Sequence, residues 1–588
     1  MDEVRFVIWD LDETFWKGTV TEGGHTYSQE CHDIVVELAK RGIVSSVVSK
    51  NDAETVDKIL KANQIAGYFV FRSVDWTPKG PRIAALANAT KLRPENILFI
   101  DDNPMNLAEA KHFCPGIQVA NETIIPGILA DPRFSGKDDS SLSRLSQYKV
   151  LEQKRLDEHN STDNIQFLRD SEICVFIDHD VESNLPRAVE LINRTNQLNY
   201  TKRRLPDDAE PAAQRLLQEL REYDTTAGLV YARDKYGDYG CIGFYALRDR
   251  EGMKRRLTHF CFSCRTLGMF IERWLYERLG RPDIGIVGTV LTDIKEQARP
   301  VDWVTEVHNA SELGRGPTSR KKLPTLIVRG GCDVRAIGHY VDGLFERSFE
   351  EMNDVADGVG LRTDHSIFLQ YALGGISPEA IEAAKTLGFR SPHFSSQLST
   401  LVPGDRAVVL LSLWSDGRLP LYRDRQTDIR LPYWLPNQPA NMLDADLVSG
   451  PPVPPAHRTY LQYLKERFLY EGEIPVDEYR QILQGFNRRI PESALVIVIN
   501  CPTYWHDGPS GDRYSLIREP ALNEVGSEIF SQRRHTAMLN PHDFAHNSAD
   551  YLDFFHFSRG VYFRMGRHLR SIIESYSDGP HEAKGLTD

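Results

Sequence analysis

Asp10-Leu-Asp12-Glu13-Thr14 directly follows the apolar run FVIW at 6–9. Side chains alternate along a strand, so Asp10 and Asp12 leave its carboxyl end on the same side. One carboxylate there can attack phosphorus, while the other protonates the leaving oxygen and later activates water. A second acidic pair, Asp101-Asp102, closes the apolar run ILFI at 97–100. Oxygen donors from two strand ends suit an octahedral Mg²⁺, with Asp10, Asp12, Asp101 and Asp102 as the expected ligands. Ser49 closes a further apolar run and can donate to a phosphoryl oxygen. Lys79 can neutralise the charge that accumulates when phosphate and carboxylates share a pocket.

Two cysteines also stand where chemistry is plausible. In His259-Phe-Cys261-Phe-Ser-Cys264-Arg265-Thr-Leu-Gly268 a strand pattern passes into a helical one. A thiol at a helix start sees the positive end of the dipole, which favours thiolate. Cys264 is therefore expected as an acyl-accepting nucleophile, with His259 either its base partner or a packed strand histidine. No second CxxC or HxxxH accompanies Cys261 and Cys264, so zinc is not indicated. Further on, Gly330-Gly331-Cys332-Asp333 follows the strand pattern TLIVR, and Asp553-Phe-Phe-His556 stands near the end of the chain.

The elements that must position these groups are legible in hydrophobic period. Strands are expected at 6–12, 43–50, 67–73 and 96–102, and helices at 30–42, 52–63 and 79–90, with Asp52 as an N-cap and Gly42 at a helix end. Such alternation predicts a parallel sheet wrapped by helices. The stretch 143–160 predicts a linker helix. A hairpin is expected over 230–249, turning at YGDYG; a strand at 259–264 and a helix at 266–280 follow. LPTLIVRGG at 323–331 restarts strand–turn–helix, after the basic stretch SELGRGPTSRKK at 311–322. Pro-rich loops occupy 431–441 and 450–457. The expected fold class is multidomain α/β, divided as 1–132, a linker at 133–163, 164–312 and 323–588.

The chain has 588 residues, with 70 Lys plus Arg against 83 Asp plus Glu and a net charge of −13. At about 100–200 residues per domain this length predicts several domains. The acidic balance argues against sequence-independent nucleic-acid binding, which needs a dense basic footprint. Eight cysteines without framework spacing predict reduced thiols and a cytoplasmic protein. No membrane-length apolar run and no signal peptide are read. The runs Lys202-Arg203-Arg204 and Lys254-Arg255-Arg256 are either solvated turns or a docking patch for an acidic partner.

The ordered set DLDET, SKND, PKG and DDNP resembles the haloacid dehalogenase (HAD) superfamily. With WDLDETFWKGTVTEGG, the run Arg194-Thr-Asn196-Gln197-Leu-Asn199-Tyr, the cluster Asp234-Lys-Tyr-Gly237-Asp238-Tyr-Gly240 and SCRTLG, residues 3–310 resemble the FkbH-like family. That family joins a HAD phosphatase domain to an acetyltransferase-like (GNAT-like) domain. The resemblance implies that a glyceryl unit from 1,3-bisphosphoglycerate, or a similar phosphorylated three-carbon acid, is dephosphorylated and loaded as a thioester on an acyl carrier protein. It implies roles for Asp10 as nucleophile, Asp12 as acid/base, and Ser49, Lys79 and Cys264 in catalysis. It also implies substrate or carrier contacts for Thr14, Asn51, Arg194, Asn196, Arg265 and Gly268, with Mg²⁺ as the cofactor. Arg265…Gly268…Phe270 is similar to the pyrophosphate loop of acetyltransferase-like folds, but a bulky Phe270 replaces a small residue, which favours carrier-borne pantetheine over free coenzyme A.

Residues 323–575 resemble SGNH/GDSL hydrolases, which are flavodoxin-like. That resemblance implies Cys332, Asp553 and His556 as a triad, with Gly374 or Gly375 and Asn500 at the oxyanion. The functional expectation is a phosphatase/glyceryltransferase with a C-terminal acyl-handling domain. A plain Mg²⁺-dependent phosphatase and a carrier-docking scaffold are the alternatives.

Overall fold

The run Phe6–Trp9 is wholly buried because it is a central strand covered on both faces. In a computed structural model the described residues are 3–20, 24–160, 164–296, 300–314, 322–435, 439–446, 453–507 and 511–577. Their first sheet runs in the order Ser73–Val74, Val44–Ser49, Phe6–Trp9, Ile97–Ile100, Gln118–Ala120, every pair parallel. The strand order reverses between Phe6–Trp9 and Ile97–Ile100, and ligands of open α/β sheets bind at such a crevice. Asp10 and Asp101 stand on its two sides.

The helices follow the expected caps. Gln29–Lys40 is capped by Ser28, with Gly42 just beyond it at φ +65°, and Ala53–Ala62 is capped by Asp52. Lys79–Thr90 and Ser143–Asn160 lie where the sequence predicts them. The strand expected over 67–73 does not form as a run. Phe69 makes only a bridge to Ser45, Phe71 turns to φ +51°, and the paired strand is Ser73–Val74. The linker helix is seated on both neighbours. Tyr148 packs on Phe6 and Phe71, Glu152 accepts from Phe71 N at 2.6 Å, and Lys154 pairs with Asp234 at 3.1 Å.

A second sheet orders Asp283–Ile284, Arg256–Phe262, Gly237–Arg248, Thr225–Asp234, Ile173–Asp178 and Val304–Val307. Its middle four strands are antiparallel to one another. The hairpin turns at Lys235-Tyr236, so only the first residue of YGDYG is in the turn, and Gly237–Gly240 lie on the second strand beside a register shift at Asp238/Gly240. Asp234 accounts for this: its carboxylate caps the turn by accepting from Tyr236 N and Gly237 N.

A third sheet orders Phe345–Met352, Leu323–Gly330, Ala407–Ser412, Leu495–Ile499 and Thr536–Leu539, all parallel. Its order reverses between Leu323–Gly330 and Ala407–Ser412, so Gly331 and Cys332 open on a second switch-point crevice. Helix Arg559–Ser577 covers one face. Buried below the crevice, Asp416 accepts from Ser366 N at 2.8 Å and from the Ser366 hydroxyl, with His365 Nδ1 at 3.4 Å. The chain is thus multidomain α/β with parallel sheets. Residues 315–321 of the basic boundary stretch, and 436–438 and 450–452 of the Pro-rich loops, lie outside the described residues. Among the described residues no helix is long and apolar enough to cross a membrane.

Candidate functional site

Lys79 begins its helix inside the first crevice, with Nζ 2.6 Å from Asp10 Oδ1 and 2.7 Å from Asp101 Oδ2. All three side chains are buried. Asp10, Asp101 and Asp102 offer carboxylate oxygens within 4.8 Å of one another, a set that fits one hard divalent cation. Burial pushes the Asp10 carboxyl up to about 6 against the pull of Lys79. Burial, then Asp101, raises Asp102 as well. Nearby positive charge therefore stabilises the working, ionised state.

Asp101 is held by Asn103 N at 2.8 Å and by Asn106 Nδ2 at 3.0 and 3.1 Å. Thr14 Oγ1 donates to Asp102 Oδ1 at 3.4 Å and accepts from Asp102 N at 3.0 Å. Asp12 was expected among the metal ligands, but its carboxylate lies outside the three-residue group. It is turned toward Asn51 Nδ2 (3.0 Å to Oδ2) and Trp16 Nε1 (2.8 Å to Oδ1), a setting for proton transfer. Ser49 is buried at its strand end and accepts from Asn51 Nδ2 at 3.4 Å. The residues that sequence reading missed are Trp16 and Asn106. Asn106 lies five residues past Asp101 on helix Pro104–Phe113, within reach of that acid.

Cys264 is placed differently from expectation. It opens a single 3-10 turn, Cys264–Thr266, and the following α-helix is Ile271–Arg278. Phe270 sits between them at φ +59°, a left-handed position that ends the run from Cys264 and delays the helix. The thiol is therefore not at the α-helix start. Burial pushes it up, opposed by the charge of Lys91. Its partner is Gln197 Oε1 at 3.5 Å. His259 is not its base: His259 Nε2 bonds Glu219 Oε2 at 3.0 Å on the buried side of its strand. Arg265 donates to Tyr239 O at 3.3 Å, Gly268 takes φ +87°, Asn196 O accepts from Asn199 N, and Arg194 pairs with Glu190 at 3.1 Å. Lys91 follows the last residue of the helix that Lys79 begins. Lys79 and Lys91 thus stand at opposite ends of one twelve-residue helix, about 18 Å long.

The basic runs make internal contacts. Lys202 donates to Thr289 O, Arg203 pairs with Glu219, Arg204 donates to Ile192 O, and Arg255 pairs with Asp249.

In the third sheet, Asp553 and His556 are joined, with Nδ1 2.9 and 3.0 Å from the two carboxylate oxygens. Burial alone would raise Asp553, but the bond to His556 holds it below the usual range. Cys332 is not joined to them: its thiol donates to Glu251 Oε2 at 3.6 Å, and burial pushes it up to about 12. Gly374 and Gly375 close helix Ile367–Gly374, with Gly375 N bonded to Tyr371 O. Asn500 follows strand Leu495–Ile499, its N–H bonded to Leu539 O. Asn353, unforeseen, is buried at the mouth, its Nδ2 without a partner among the described residues.

No known family model matches the chain. None of the curated proteins matches it. Among solved structures, it is similar to the N-terminal part of a Bacteroides fragilis protein containing a phosphatase domain complexed with Mg. Identity is 22%, with 24% of this chain and 40% of that one covered and a TM-score of 0.19. It is also similar to a Mesorhizobium loti protein assigned as a HAD-like phosphatase (15% identity, 24% and 90% covered, TM-score 0.19). A third likeness is to an uncharacterized Corynebacterium glutamicum protein (16% identity, 23% and 97% covered, TM-score 0.17). At these scores the functional weight rests on the carboxylate geometry.

Proposed function

We propose that the first crevice is a Mg²⁺-dependent phosphatase site of the HAD type. The observation that carries this reading is the buried Asp10–Lys79–Asp101 arrangement, with Asp102 completing the oxygen set. Asp10 attacks phosphorus as the bond to the leaving oxygen breaks, and Asp12 gives that oxygen its proton. Asp12 then takes a proton from the water that hydrolyses the aspartyl phosphate. Lys79 offsets the charge on Asp10 and the phosphoryl group. Asp10, Asp101 and Asp102 would hold a Mg²⁺ ion, which would supply further positive charge to offset that of the phosphoryl group.

The fuller reading adds glyceryl transfer from 1,3-bisphosphoglycerate through Cys264, in a GNAT-like second domain, to an acyl carrier protein. The SGNH-like third domain then handles the acyl unit. Its support is the half-buried Cys264, whose thiol has Gln197 Oε1 at 3.5 Å and feels the charge of Lys91 of the first domain. In that step the Cys264 sulfur takes the acyl group as the bond to its leaving group breaks, then exchanges it with the carrier thiol. A plain phosphatase is the second reading, favoured by the pairing of His259 with Glu219 and the raised thiol.

Two assays test these readings in the full chain. Phosphate release from a panel of phosphomonoesters and acyl phosphates with Mg²⁺ should vanish in Asp10→Asn; retention in that variant would sink the phosphatase site. Intact mass after mixing with 1,3-bisphosphoglycerate should show a glyceryl adduct absent in Cys264→Ala. Phosphate release without any adduct would leave the plain phosphatase.

A further inference from the structure

The loop Asp249–Gly252 of the second sheet inserts a carboxylate into the mouth of the third. Glu251 Oε2 accepts from Cys332 Sγ at 3.6 Å and lies 3.8 Å from Arg362 Nη1. Glu251 Oε1 is buried with no hydrogen-bond partner among the described residues. Arg335, one helical turn beyond Cys332, faces the same loop with Nη1 3.8 Å from Asp249. Tyr223, also from the second sheet's side, stacks on His556 at 3.9 Å between centroids and 14° between planes. Both the thiol and the imidazole of the third-sheet site are therefore covered by side chains of its neighbour.

The loop is firmly built. Asp249 N donates to Asp224 O at 2.8 Å, and Arg250 Nε donates to Asp224 Oδ2 at 2.9 Å. Gly252 takes φ +72°, and a Cβ there would stand 2.9 Å from Val355 Cγ2. The turn thus seats against the third-sheet unit only because residue 252 is glycine. Yet the carboxylate it delivers is poorly satisfied: one oxygen lacks any partner, the other has a weak thiol donor, and Arg362 is beyond hydrogen-bond distance. An unsatisfied buried carboxylate oxygen is costly in a contact that is purely structural. A guanidinium beside a thiol is, however, a setting that recognises a carboxylate brought in from solution.

We propose that the mouth of the third sheet is a binding site for a small organic carboxylate, recognised by Arg362 beside Cys332, and that Glu251 occupies it as an internal stand-in. This does not rest on the phosphatase reading, because nothing in it requires phosphoryl transfer. Loading the site requires Glu251 to withdraw, so access is coupled to the seating of the second domain's loop.

The test is alkylation of Cys332 by iodoacetamide in the full chain, followed by peptide mass. Labelling should be slow in wild type and about tenfold or more faster in Glu251→Ala and Glu251→Gln, which remove the competing charge. It should also be faster in Gly252→Ala, which unseats the loop. Malonate, as the probe, should slow labelling again in Glu251→Ala and fail to do so once Arg362→Met is added. Buried Cys241 and Cys501, staying unlabelled, report an intact fold. Equal labelling of wild type and both Glu251 variants would overturn the stand-in. Malonate without effect in Glu251→Ala, or protection that survives Arg362→Met, would overturn the carboxylate site.

Discussion

Lys79 Nζ lies 2.6 Å from Asp10 Oδ1, and both side chains are buried. The lysine also reaches Asp101 at 2.7 Å, so one ammonium faces two carboxylates from strands on either side of the crevice. A buried cation shared by two acids is stabilising only while the set is complete. Remove the cation, and two negative charges are left close together in a poorly solvated place.

Lys79→Met should therefore destabilise the first sheet by about 3–5 kcal/mol without added metal. Mg²⁺ should restore part of that loss by taking over the neutralising role. Hydrogen exchange of the peptide covering Phe6–Trp9, with and without Mg²⁺, measures it. Unchanged protection in the variant would mean the pair contributes little.

Asn51 fixes Asp12 from one side and Trp16 from the other. Asn51→Ala should free the Asp12 carboxylate to rotate and cut kcat by about 10²-fold, with KM nearly unmoved, because only proton transfer is misaligned. Steady-state kinetics on the best phosphoester separates the two constants. A rise in KM at constant kcat would instead make Asn51 a substrate contact.

Gly80 lets helix Lys79–Thr90 approach helix Pro104–Phe113 closely. A Cβ there would lie 2.5 Å from Phe113 Cδ2 and 2.7 Å from Glu109 Cγ. Gly80→Ala should cost about 1–3 kcal/mol through overpacking and displace Lys79 at the preceding position. Loss of turnover should accompany the loss of stability in thermal melts and phosphate release. Full activity in this variant would show that the close approach does not position Lys79.

The carboxylate site was legible because its information is local: acids at strand ends, two residues apart, with a lysine beginning a helix. Asp12 departed from the metal set because its partner Trp16 lies in the turn, where alternation no longer governs direction. Cys264 was misplaced for a similar reason, since the helix start is set by the left-handed Phe270 and not by hydrophobic period. The contact of Glu251 with Cys332 joins residues 81 apart on different sheets, and nothing in either neighbourhood encodes it. Strand order in the third sheet, by contrast, agrees with the flavodoxin-like expectation, because buried apolar strands alternate with helices through that region.

Asp416 makes the third sheet sensitive to alkali. Burial pushes its carboxyl from 3.8 to about 8, against the hydrogen bonds from Ser366 and the charge of Arg518, with Asp364 adding to the rise. The folded chain thus holds a proton that the unfolded chain gives up, so this group's contribution to stability falls as pH rises from about 4 to about 8. Buried His365 and His179, lowered to about 3 and about 4, act in the opposite sense while the unfolded chain still binds their protons, an effect that fades as pH rises through about 6.5 to 7.5. The difference between wild type and Asp416→Asn across pH 6.5 to 8 therefore isolates Asp416. Across that window, wild type should lose up to about 1.4 kcal/mol per pH unit more than the variant, the value for one proton. Asp416→Asn, a neutral isostere, should lack that extra loss below pH 8, and above it the two should run parallel, because the raised buried thiols are common to both. Hydrogen exchange of the peptide covering Ala407–Ser412, corrected for intrinsic rates, reads the slope directly. An identical slope in the variant would mean that Asp416 is ionised in the folded chain throughout, with its charge balanced by Arg518.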